Sequence, residues 1–82
     1  GQINTMISSG DLIRLKRKNK NHVMYLYKSV DTNSRLLSGE MKSNELGLVL
    51  DGFTNHIGTK YLKIFCGKII GWIRVDHVVR IS

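Results

Sequence analysis

The stretch Lys60-Tyr61-Leu62-Lys63-Ile64-Phe65-Cys66-Gly67-Lys68-Ile69-Ile70-Gly71-Trp72-Ile73-Arg74-Val75 constrains the fold more than any other part of the chain. Two alternating apolar runs flank Gly67-Lys68, and that pattern predicts a β-hairpin. Gly at the first central position supplies the positive φ of a type II′ turn, whose twist matches the strands it joins. Period-two geometry then puts Leu62, Ile64 and Cys66 on one face, taken as the core face. Cys66 is the only cysteine, so it has no internal disulfide partner. Its place beside the turn suits a small buried hydrophobe better than a reactive thiol.

Upstream, Met6-Ile7-Ser8-Ser9-Gly10-Asp11 reads as a turn leading into a first strand, Leu12-Ile13-Arg14-Leu15-Lys16-Arg17. Ile13 and Leu15 face inward in this reading, and Arg14 and Lys16 face water. Lys18 to His22 is a polar connection to Val23-Met24-Tyr25-Leu26-Tyr27, whose aromatic and branched content favours a strand. From Lys28 to Asn44 the pattern weakens. Asp31-Thr32-Asn33-Ser34 and Ser38-Gly39 read as turn clusters, with Leu36-Leu37 anchoring the segment to the body of the domain. Leu46-Gly47-Leu48-Val49-Leu50 has the length of a buried strand, in which Gly47 permits a bend or a close backbone approach. Phe53 to Thr59 is then a loop, Asp76-His77-Val78 a tight turn, and Val79-Arg80-Ile81 a short closing strand.

Eighty-two residues, 41% hydrophobic, suit one compact domain and leave no room for a second. Gly1 to Thr5 are expected to be a tag remnant or a disordered terminus ahead of a natural start at Met6, and 6–82 one domain. Several short strands, one long irregular connection and a turn before the last strand describe an all-β, SH3-like barrel of about five strands. Such a barrel fills its interior with side chains, which leaves grooves and rims as sites and makes binding the default over catalysis. With no apolar run near the ~20 residues of a bilayer crossing and no secretory start, the chain is expected to be soluble and cytoplasmic.

Here a resemblance enters. Tyr61-Leu62-Lys63-Ile64, Gly67-Lys68, Gly71-Trp72-Ile73 and Asp76-His77-Val78-Val79 resemble the C-terminal part of bacterial-type SH3 domains, where a strand, a Gly-Lys turn and Gly-Trp-Val precede a short helical turn. Gly10-Asp11-Leu12-Ile13-Arg14-Leu15 and Leu46-Gly47-Leu48-Val49 are similar to segments of small SH3-like proteins of bacteriophages, marine ones especially. The resemblance covers about half the chain. It implies the barrel, a phage or mobile-element origin and the host-cell cytoplasm, and it says little about activity because the fold hosts many roles. The segment from Lys28 to Asn44 departs from the compact pattern, which leaves a lengthened loop or an extra hairpin there.

The functional reading starts from charge. Thirteen Lys and Arg against six Asp and Glu give a formal charge of +7, which attracts polyanions. Arg14, Lys16, Arg17, Lys18 and Lys20 put five cations into seven positions. That run is either a solvated edge that deters aggregation or a phosphate-tracking patch with Tyr25 or Tyr27 as a stacking face. Lys60, Lys63 and Arg74 of the hairpin strengthen the second reading if they share its face.

Other chemistries find less support. His22, His56 and His77 lack zinc-motif spacing, the six acids are scattered singly, and no Cys or Ser stands in a local relay with a His and a carboxylate. No catalytic residue, metal or cofactor is assigned. Trp72 lacks the acidic loop that accompanies proline-peptide binding, so it is read as a structural ring packed across the barrel edge. The expected function is therefore a small non-catalytic accessory module with weak, phosphate-mediated nucleic-acid binding. Its rival is a protein-interaction or virion-accessory module that docks through strand edges or the 28–44 segment.

Overall fold

The structure is a computed structural model that describes residues 7–16, 22–30 and 36–82. Seven strands form one antiparallel sheet: β1 Leu12–Leu15, β2 Val23–Tyr27, β3 Leu37–Lys42, β4 Gly47–Thr54, β5 Lys60–Cys66, β6 Ile69–Arg74 and β7 Val78–Arg80. Their order across the sheet is β3-β2-β6-β5-β4-β1-β7. The sheet curls into a half-barrel, and a 3-10 turn at Val75–His77 leads into β7. Among the described residues no helix is long and apolar enough to cross a membrane.

The β5–β6 hairpin forms as its alternation predicts. Cys66 pairs with Ile69 across Gly67-Lys68, Gly67 has φ +63, and no residue other than glycine has a positive φ among those described. Positive φ at the first central residue alone is the type II′ signature, since type I′ needs it at both. On the concave side lie Ile7, Ile13, Leu15, Leu26, Met41, Val49, Leu62, Ile64, Cys66, Ile73 and Val78, all buried. Ile7 belongs to the turn before β1, which is tied down by the Lys60 Nζ donating to the Ile7 carbonyl at 3.0 Å. The Gly10 N–H also donates to the Val49 carbonyl at 2.8 Å.

Four expectations are corrected. The sheet has seven strands where about five were expected; one of them, β3, comes from the 28–44 segment and pairs with β2 from Val23↔Lys42 to Tyr27↔Leu37. Ser38-Gly39 accordingly lies within β3 and makes no turn; the Asp31 to Ser34 cluster lies outside the described residues. Leu36 and Leu37 do not anchor this segment inward, being 65% and 43% exposed. Finally, the strand expected at 46–50 is buried on one face only and runs on to Thr54, because a register shift between Val49 and Asp51 absorbs one residue and lets pairing with β5 continue through Asp51-Gly52. The loop is shortened to 55–59, where the Asn55 side-chain oxygen accepts from the Ile57 and Thr59 N–H groups.

Candidate functional site

The core contains no aromatic residue. The chain has one Trp, three Tyr and two Phe, and strand register puts all of them on the outer face. On β5 the buried Leu62, Ile64 and Cys66 alternate with Tyr61, Lys63 and Phe65; on β6 the buried Gly71 and Ile73 alternate with Ile70, Trp72 and Arg74. Tyr25 and Tyr27 flank the buried Leu26 on β2 and are both exposed. Phe53 pairs with Tyr61 and is exposed as well.

Cross-strand pairing arranges these residues in three outer rows. Leu12, Leu48, Phe65 and Ile70 pair in sequence across β1, β4, β5 and β6. The next row runs Asp51, Lys63, Trp72, Tyr27 across β4, β5, β6 and β2. The third is Phe53, Tyr61, Arg74. Rows of this kind are about 7 Å apart along the strands, and neighbours within a row about 4.8 Å apart. Read along β6 from Ile70 through Trp72 to Arg74, the face passes from aliphatic to aromatic to cationic.

The cationic end continues beyond the sheet. Arg74 forms an ion pair with Asp76 at 2.6 Å, both side chains being well exposed, and such a pair contributes only about 0–1 kcal/mol and exchanges readily with another anion. The Lys16 N–H donates to the His77 carbonyl at 2.8 Å. Burial lowers the His77 pKa below its ordinary value, and Arg74, Lys16 and His22 push it further down against the opposing pull of Asp76. The imidazole is therefore neutral at pH 7 in a positive neighbourhood. Lys16 and His22 thus both lie within electrostatic reach of His77.

The sequence candidates thus divide. Tyr27, Lys63 and Arg74 come together on the outer face, Tyr25 stands two positions along β2 from Tyr27, and Lys16 lies beside His77. Arg14 stands apart on β1, paired with Val79, and its Nη1 donates to the Leu15 carbonyl at 2.8 Å. Arg17, Lys18 and Lys20 lie outside the described residues. Lys60 does not join the face, since it is committed to Ile7. Among the described residues no three His, Cys, Asp or Glu side chains gather at one point.

Trp72 is half-buried and stands on the outer face between Lys63 and Tyr27, outside the core cluster. Tyr61 and Phe65 were missed as surface aromatics. The signal was present: counting back from the Gly67-Lys68 turn pairs Lys63 with Trp72 and puts Tyr61 and Phe65 opposite in parity to Leu62 and Ile64.

Cys66 matches its expectation, being 2% exposed on the core face. Burial, followed by the Glu45 charge, raises its thiol pKa, so the reactive thiolate is scarce as well as shielded. Labelling by a thiol reagent at pH 8 is expected to be slow in buffer and fast in denaturant; fast native labelling would mean that β5 opens at its turn end.

Against family models, curated proteins and solved structures, the chain matches none.

Proposed function

We propose that this domain is a small non-catalytic binding module that engages nucleic acid weakly, through phosphate contacts made by cations bordering the outer face. The observation that carries the reading is the row Lys63, Trp72, Tyr27 beside Tyr61 and Arg74. Aromatic bodies standing outside the core, on the outer face, offer surfaces for a partner. The cations interleaved with them, and the net charge of +7, fit a polyanion. SH3-like kinship, a phage or mobile-element origin and a place in the host cytoplasm belong to the same proposal, and they rest on the hairpin motif and the opening strand.

A salt series tests it. Affinity for labelled oligonucleotides, read by fluorescence anisotropy, is expected to fall linearly on a log–log plot, with a slope of about 0.7–0.9 per phosphate neutralised. The double variant Lys63→Ser/Arg74→Ser should flatten that slope by about 1.5 and leave the melting curve close to the parent's. No binding at low salt, or an unchanged slope in the variant, rejects the reading.

One observation favours a second reading. β3 is an end strand of the sheet, and the exposed Leu36 and Leu37 lie at its start. An end strand with apolar side chains beside it suits addition of a partner strand, so a protein-interaction module takes precedence if the salt series fails.

A further inference from the structure

We infer that the nucleic acid taken by the outer face is single-stranded, with unpaired bases stacked on Trp72, Tyr27 and Tyr61 and phosphates held by Lys63 and Arg74. This inference rests on the nucleic-acid reading above and specifies its substrate.

Shape argues against a duplex. The candidate face spans β2, β6, β5 and β4 side by side, so at about 4.8 Å per strand it is roughly 14 Å wide between outer strand axes before side chains are added. A B-form major groove is about 12 Å wide and admits a helix or a two-stranded ribbon. A four-stranded face can therefore meet a duplex only along its phosphates, where an aromatic ring gains nothing.

The aromatic arrangement argues for unpaired bases. Tyr27, Trp72 and Lys63 are consecutive in one row, and Tyr61 and Arg74 are consecutive in the next. The two central strands thus alternate ring and cation along the face: Tyr61 then Lys63 on β5, Trp72 then Arg74 on β6. A base laid on one ring leaves its own phosphate within reach of the cation on the adjoining strand. Stacking of this kind tolerates any base, because every base has a π face. The ligand is consequently expected to be bound with little sequence preference.

Trp72 is the only Trp, so its emission reports on this one position. The full chain is titrated at low salt with labelled oligothymidylate of about ten nucleotides and with a duplex of equal length. Anisotropy and Trp72 emission are read together. The expected result is tighter binding of the single strand, quenching of Trp72 by it and not by the duplex, and a loss of about 5- to 100-fold in single-strand affinity for Trp72→Leu or Tyr27→Leu. Circular-dichroism melts establish that each variant is folded, and the two variants guard against either one failing to fold. Equal or tighter binding of the duplex, or single-strand binding without quenching and indifferent to both variants, overturns the stacking inference while leaving phosphate-mediated binding intact. Absence of binding to either probe overturns the nucleic-acid reading itself.

Discussion

Gly71→Ala is expected to lower the melting temperature by roughly 5–20 °C, the counterpart of about 1–3 kcal/mol of overpacking in a domain of this size. A methyl group at Gly71 would stand 2.7 Å from the Leu26 Cβ and 3.1 Å from the Ser38 Cβ and Oγ. These are atoms next to the backbone, which cannot swing aside as the end of a long side chain can. They also come from both strands of the β2–β3 hairpin, which closes on the inner side of β6 at this point and joins it through the pair Tyr27↔Trp72. Relief of the clash would have to lift that hairpin and expose Leu26 and Met41. Gly52→Ala is the control, because a methyl there meets only ordinary contacts at 3.7 Å and beyond. Thermal melts of the two variants decide the matter; a Gly71→Ala protein that melts with the parent would mean that the hairpin does not approach β6 so closely.

Leu62→Ala is expected to cost about 2–5 kcal/mol, and Trp72→Ala only about 1–2 kcal/mol, although the indole is far larger. Leu62 is fully buried at the centre of the aliphatic core, where truncation leaves a cavity. Trp72 is half-buried on the outer face, so its removal loses cross-strand packing with Lys63 and Tyr27, worth about 0.2–1 kcal/mol for each neighbour. The sequence reading, with Trp72 as a structural barrel-edge ring, expects a larger loss for Trp72→Ala, of several kcal/mol. Urea unfolding followed by circular dichroism measures both, since Trp72→Ala removes the fluorophore. Equal losses for the two variants would return the indole to the core and take it out of the candidate interface.

Local pattern alone carries much of this fold. Gly67-Lys68 between alternating runs determines a two-residue turn, and a two-residue turn determines which residues of β5 and β6 face each other. Ile13, Leu15, Leu62, Ile64 and Cys66 are buried as their periodicity requires, and β2 spans the five residues its composition indicates. These features depend on neighbours two residues apart or across one tight turn, so the sequence contains all their determinants.

The rest depends on contacts between distant segments. Ser38-Gly39 has the composition of a turn, yet it becomes strand because β2 supplies a hydrogen-bonding edge and Gly39 sits opposite Leu26. Asp51-Gly52 likewise looks like a terminator, and the bulge after Val49 carries β4 past it. The choice of face is the largest such decision. Both faces of β5 and β6 are apolar enough to be a core, with Leu62, Ile64 and Ile73 on one and Tyr61, Phe65 and Trp72 on the other, and period two separates the two sets without ranking them. Curling of the sheet ranks them: Leu, Ile, Val, Met and Cys side chains are enclosed on its concave side, and the rings stand on the convex side. The chain by itself therefore determined the hairpin and its pairing, whereas the placement of the aromatic row beside Lys63 and Arg74 was decided only when the seven-stranded sheet curled and enclosed the opposite face of β5 and β6.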